Sequence, residues 1–404
     1  MKPENLNKFV DSLQNVDWSH VTDLNDTEDS YHAFIETYTK LFDACCPKKI
    51  KNHKRMTEKN WMSKALLVSV RTKEKLYKKY LKSPTVENKT EYNVYKNKFT
   101  SLKRAAERNY YSEQIQAAKN NLKEMWRIIK RAINKTGSNS SFPDSFKNGN
   151  VKITSPDEIS NKFNEYFSTI GPKLDEKIGT CQNITFKSFL KNEVENSFFL
   201  LPPSIAEITS IVDQFKSKKS SGWDEVSMSV IKSTINSIAP VLTHICSLSF
   251  SQGVVPSEMK LAKVAPIFKC DAKDEFSNYR PISLLSNFSK MLEKLMSNRL
   301  SEFLDKYNFL CNQQYGFRKK QNSELAIVEL ANDIAEAIDA KQTTIGIFID
   351  LSKAFDTLNH TILLKKLEHC GVRGIPLIWF TSYLENRMQY VIYNNSMSKK
   401  NAIL

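Results

Sequence analysis

The 404-residue chain is 41% hydrophobic and 25% charged, with only 10 Gly and 13 Pro, which excludes a disordered or fibrous protein and allows two or three domains. Its net charge of +15 makes a polyanion the first partner to consider, with solubility alone as the competing explanation. Seven Cys and six His show no CxxC or HxxxH spacing, so neither a zinc module nor a disulfide framework is expected, and free thiols fit a reducing compartment.

The N-terminus, MKPENLNKFVDSLQ, lacks the apolar core of a signal peptide, and no apolar run is long enough to span a bilayer. An intracellular protein of the nucleus or cytoplasm is therefore expected. The first 45 residues are mixed in charge and read as a weakly helical lead-in. The segment Lys48–Lys135 then holds 25 Lys and Arg against seven Glu and no Asp, a net of +18. The rest of the chain carries 34 basic and 37 acidic groups, so the whole positive excess lies in one stretch. That placement favours a phosphate-rich contact over solubility. Within it, 47-PKKIKNHKR-55 reads as a solvated basic run or a nuclear address.

Tyr92, Tyr95, Phe99, Leu102 and Ala106 recur at helical spacing, and Leu122, Trp126, Ile129 and Ile133 repeat the pattern. Such rows are either the core stripe of a helix pair or stacking platforms for bases, and a shared face favours the core. Thr136–Asn150, rich in Ser, Gly and Asn, reads as a linker. Capping boxes at 155-SPDE-158 and 204-SIAE-207 open two helices, the first expected to stop at Gly171-Pro172 and the second to run through Phe215. Helices are expected near 226–235, 237–250, 287–305, 323–340, 360–370 and 376–384. Strands are expected at 263–268, 282–285, 344–350 and 388–393. Interleaved strands and helices argue for an α/β or α+β second half.

The expected strand 344–350 ends in Asp350, followed by the second acid Asp356 behind Phe355. A carboxylate at the rim of a sheet is either a helix cap, here ahead of Ser352, or a hard ligand for Mg²⁺. Nucleotidyl transfer needs such ligands, because two Mg²⁺ serve the attacking hydroxyl and the leaving pyrophosphate.

The segment 347-IFIDLSKAFDTLNH-360 resembles the first catalytic motif of the reverse transcriptases of non-LTR (LINE-like, jockey-type) retrotransposons. Upstream, 278-NYRPISLLSNFSKMLEKLMSNRL-300, 313-QQYGFRKKQNSELAI-327 and 219-KSSGWDEVS-227 are similar to further motifs of that family, in the same order. The resemblance spans roughly residues 150–395, and the basic region before it is similar to the family's connector. It implies an α+β fold: a basic helical region over 1–137, a linker and amphipathic helix over 138–200, then fingers (201–343) and the start of the palm (344–404) of a right-hand polymerase. It implies Mg²⁺ as cofactor, and RNA template, DNA primer and deoxynucleoside triphosphates as partners. Asp350, the catalytic acid, would bind metal together with the Leu351 carbonyl. Lys269 and Arg280 would grip the triphosphate, for which a point charge and a planar fork are suited. An ion pair of Arg280 with Asp274 or Glu275 is the competing role. Phe355 would exclude a ribose 2′-hydroxyl, and Gln314, Gly316 and Arg318 would line the template path. Asp356 suits helix capping or loop fixing better than metal binding.

The family also uses an adjacent Asp pair, and no Asp follows Asp356 in this sequence. The expectation is therefore a fragment cut at both ends and inactive alone, with a non-catalytic binder of RNA or single-stranded DNA, or a retroelement relic, as the alternative.

Overall fold

Phe9 and Leu13, one helical turn apart, and Tyr31, Phe34, Ile35 and Tyr38, spaced as one helical stripe, are the first residues of the core. The computed structural model describes residues 3–47, 61–133, 142–149, 151–176, 195–351 and 353–403. The chain divides into two compact units, residues 1–48 with 143–404 and residues 49–142. The expected nuclear address after Pro47 and the Ser-rich part of the expected linker lie outside the described residues.

In the larger unit, α1 (Pro3–Gln14), α2 (Ser19–Thr22) and α3 (Thr27–Cys45) occupy the segment read as a lead-in. Asp26 caps α3 by accepting from the Glu28 and Asp29 amides. The segment is integral to the core rather than a lead-in. The Phe34 and Tyr38 rings meet Phe288 edge-on at 5.2 and 5.3 Å, and the Tyr38 and Thr234 hydroxyls hydrogen-bond at 2.9 Å. Its mixed charge sits on the solvent side of helices whose other side is apolar.

The second unit consists of α4 (Lys64–Lys82), α5 (Val86–Ala117) and α6 (Leu122–Ala132). Along α4 and α5, Tyr77 meets Tyr92 at 5.2 Å and Lys73 lies over the buried Phe99 ring at 5.4 Å. Tyr92 and Phe99 thus belong to the helix seam, whereas Leu102 is exposed. The expected stripe on α6 differs more. Ile128 is its buried residue, while Leu122, Trp126 and Ile133 face solvent.

Beyond these helices, the hairpin β1 (Phe146–Asn148) and β2 (Val151–Ile153) stands where linker was expected. Phe146 draws it in, stacking with Phe276 at 4.9 Å and meeting Phe163 at 5.0 Å. Helix α7 (Pro156–Asp175) has Pro156 in its first turn but no side-chain cap from Ser155. It continues through Gly171-Pro172, although an interior Pro removes one backbone hydrogen bond and crowds the preceding turn, and the buried stripe Ile159, Phe163 and Phe167 holds the helix in place. Helix α8 (Ile205–Gln214) is capped by Ser204, which accepts from the Glu207 amide at 3.2 Å. The two helices expected at 226–250 are one, α9 (Met228–Gln252), buried along its length on both sides of Pro240. Gly253 ends it at φ +71°, where a Cβ would lie 3.0 Å from Ile378 and 3.1 Å from the Ile375 carbonyl.

Strands β3 (Leu261–Phe268), β4 (Tyr279–Leu284), β5 (Met388–Tyr393), β6 (Ser396–Met397) and β7 (Asn401–Ala402) form a mixed sheet of order β4-β3-β5-β6, with β7 also paired to β5. Only β3 and β5 run parallel. Helices α10 (Asn287–Lys306), α11 (Ser323–Asp339), α12 (His360–His369) and α13 (Ile375–Leu384) complete an α+β architecture. The expected strand 344–350 does not form: residues 344–350 are exposed and outside the sheet. An extended apolar run becomes a strand only when a neighbour takes its amides and carbonyls. No described strand lies beside this one.

The segment 219–227 is strapped to the turn between β4 and α10. A Cβ on Gly222 would lie 2.5 Å from the Ser286 amide nitrogen and 2.6 Å from the Leu285 carbonyl carbon, so only glycine fits. The Ser286 hydroxyl donates to Asp224 at 2.5 Å, and the Asn287 amide donates to the Val226 carbonyl at 2.7 Å. Burial raises the Asp224 carboxyl, against the pull of Ser286 and the Val226 amide.

Among the described residues Cys45, Cys46, Cys246, Cys270, Cys311 and Cys370 are free, and no helix is long and apolar enough to cross a membrane. If residues 3–47 are core, Phe34→Ala lowers global stability by about 3–5 kcal/mol. A lead-in position would change it by about 0.5 kcal/mol or less. Urea unfolding followed by circular dichroism distinguishes the two.

Candidate functional site

Strand register decides which side chains share the solvent face of the sheet. Ile267 pairs with Arg280, Ala265 with Ile282 and Lys263 with Leu284. Alternation then puts Lys263, Ala265, Ile267, Arg280, Ile282 and Leu284 on one face, with Ala262 and Val264 buried on the other. The ladder continues one step past β3, where the Lys269 amide donates to the Asn278 carbonyl at 2.9 Å. Lys269 therefore shares the parity of Ile267 and neighbours Arg280 at the open end of the sheet. Both cations act on the Cys270 thiol, which its hydrogen bond to the Asp271 carboxylate raises and they pull down.

Arg280 makes no ion pair among the described residues. Asp274, one of its two expected partners, pairs with Lys147 at 2.8 Å, which holds the Asp274 carboxyl below its usual range. Glu275 accepts from the Asn278 amide at 3.5 Å. Two exposed cations on a flat strand end can hold the oxygens of a polyphosphate.

The segment 311–321 is a chain of turns. Arg318 donates to the Cys311 carbonyl at 2.8 Å and lies 3.5 Å from Asp305. The Gln314 amide reaches the Gly316 carbonyl at 3.4 Å, and Gly316 has open space around it. The Phe317 ring, on a residue at φ +61°, meets Phe355 edge-on at 6.1 Å. The structure thus brings the neighbourhoods of Arg318 and Phe355 together, both at the surface. Lys353 donates to the Tyr166 hydroxyl at 3.1 Å.

Asp356 borders a cleft of about 300 Å³ with Gly171, Pro172 and His360, and burial raises its carboxyl. The cap of α12 is Asn359, accepting from the Ile362 amide at 3.0 Å. Asp350 and Leu351 are exposed beside the unpaired apolar run. Among the described residues no three His, Cys, Asp or Glu side chains are disposed to hold a metal ion. One carboxylate and a neighbouring carbonyl do not fit a site for two Mg²⁺, which needs several hard oxygen donors.

Within 219-KSSGWDEVS-227, Gly222 and Asp224 are structural residues to which the motif resemblance assigns no individual role. The Gly-x-Asp spacing ahead of an apolar helix was the available signal.

Residues 270–402 match the family model described as reverse transcriptase (RNA-dependent DNA polymerase). The chain is 30% identical over 217 residues to a probable RNA-directed DNA polymerase from transposon BS of Drosophila melanogaster, covering 52% of this chain and 23% of the relative. It is 32% identical over 207 residues to a putative 115 kDa protein in type-1 retrotransposable element R1DM of the same species, covering 49% and 20%. With the RNA-directed DNA polymerase from mobile element jockey it shares 26% over 212 residues, covering 52% and 23%. The chain thus spans about a fifth to a quarter of the length of these relatives. Residues 270–402 thus carry a reverse transcriptase domain, and over about half its length the chain is similar to the RNA-directed DNA polymerases and related proteins of retrotransposable elements.

Proposed function

We propose that the chain is part of a template-directed polymerase, and that the end of β3 and β4 receives the triphosphate of an incoming deoxynucleotide. The observation that carries this reading is the register, which puts Lys269 and Arg280 side by side on the solvent face, Arg280 making no ion pair among the described residues. In this reading 201–343 act as fingers and 344–404 open the palm. Gln314, Gly316 and Arg318 border the template, and the Phe355 ring limits the space beside the sugar. Asp350 supplies one acid of the catalytic set, and the 404 residues do not supply the adjacent pair.

Binding and chemistry then separate experimentally. Labelled deoxynucleoside triphosphate should bind the full chain, and Arg280→Ala should weaken binding roughly 10- to 100-fold, the worth of a charge-assisted pair of hydrogen bonds. Lys269→Ala should weaken it less. Equilibrium dialysis reads both, and unchanged affinity in both variants sinks the assignment.

Primer extension on an RNA template should stay at background with Mg²⁺ or Mn²⁺, and Asp350→Ala should change nothing. Extension that Asp350→Ala abolishes would show that acids unassigned here complete the set.

A second reading has its own observation. In the unit 49–142, residues 61–133 carry 18 Lys and Arg against six Glu, and most of these cations are exposed. Such a surface binds RNA or single-stranded DNA through phosphates without catalysis.

A further inference from the structure

We infer that the outward face of α6 is a stacking site for the bases of single-stranded nucleic acid, with Trp126 as its platform. The inference rests on the second reading above and adds where, and to which form of nucleic acid, the unit binds.

Helix α6 packs against α5 and buries Ile128. Leu122, Trp126 and Ile133 remain 72%, 59% and 55% exposed, and Ile129 is half-buried beside them. At i, i+4, i+7 and i+11 these four make one stripe, about 16 Å long at the helical rise. Large apolar side chains in a continuous exposed row mark a binding surface rather than ordinary scatter.

Charge identifies the occupant. Lys123 and Lys130 stand three residues before and four residues after Trp126, so both are its neighbours on the helix surface. Both are exposed and neither is ion-paired among the described residues, whereas Arg127 is held by Glu124. An aromatic face between two free cations, in a unit with a threefold excess of basic groups, fits a polyanion that also offers flat π-faces. Single-stranded RNA or DNA does so, while a duplex keeps its base faces stacked inside. Two of the other aromatic candidates are engaged elsewhere, since Phe99 is buried under Lys73 and Tyr92 lies against Tyr77.

The test uses the full chain with labelled oligo(dT), alone and annealed to oligo(dA), followed by fluorescence anisotropy across a salt series. Trp126→Ala should weaken single-strand binding roughly five- to a hundredfold and leave duplex binding unchanged within about twofold. Its salt slope should match the parent's, because no phosphate contact is removed. Trp126→Phe should keep most of the affinity, and its intrinsic fluorescence should quench less on binding than the parent's. Lys123→Ala and Lys130→Ala should each weaken both forms and flatten the single-strand slope by about 0.7. If the parent binds oligo(dT) with a steep salt slope that Trp126→Ala does not weaken, the stacking site is refuted and the phosphate-binding reading stands. If the parent binds neither form, both fall. Sedimentation with phosphatidylserine vesicles that depends on Trp126, without single-strand binding, overturns the proposal in favour of a membrane surface.

Discussion

Gly222 lies so close to the Leu285–Ser286 backbone that a single methyl group cannot be inserted. That approach, closed by the Ser286 hydroxyl on Asp224 and the Asn287 amide on the Val226 carbonyl, fixes where β4 leaves the sheet and where α10 begins. Every position along β4 is counted from this point, because a strand slipped by one residue turns all its side chains over. Arg280 faces solvent beside Lys269, rather than the core, as a consequence. A buried carboxylate is a costly fastener, and it is tolerated here because a hydroxyl and a backbone amide satisfy it.

The other end of β4 is held by aromatic packing. Phe163 meets Phe276 at 4.7 Å and Tyr279 at 5.1 Å, and Phe146 stacks on Phe276. This small apolar cluster joins the hairpin and α7 to the strand, and the Lys147–Asp274 ion pair ties the hairpin to the loop ahead of β4. Packing and electrostatics thus act together to fix this end of the strand.

Much of this was legible in the sequence, and the exceptions have physical reasons. β3, β5, α8 and α13 were readable because their local patterns and their tertiary environments agree. The helix of Met228–Gln252 was split in advance because Pro240 is a local breaker, yet apolar side chains on both flanks are buried and outweigh one lost hydrogen bond. The first 45 residues were underrated because their charges dilute the composition, while the stripe from Tyr31 to Phe42 that buries them is regular. The row on α6 was legible as a row but not as an exposed one, since periodicity reports which residues share a face and not what that face meets. Residues 344–350 fail in the opposite sense: β-branched content raises the propensity for a strand, but pairing is supplied from outside the segment. Of the candidate site, the cations of the sheet end were read from motif and chemistry. The buried fastening beneath them was not, because a serine and an aspartate 62 residues apart carry no shared local signal.

The parallel pairing of β3 with β5 has a consequence in time. Leu261 meets Met388 and Val264 meets Val391, so the second neighbour of β3 is made more than a hundred residues after it. Phe34 likewise waits for Phe288, roughly 250 residues later, which at ribosomal rates of about 5–20 residues per second is about 13–50 s. Until residue 288 is made the apolar side of α3 lacks this partner, and from residue 268 to residue 388 one edge of β3 lacks its own. Non-local closure of this kind slows folding and leaves the nascent chain dependent on whatever shields apolar surface in the meantime.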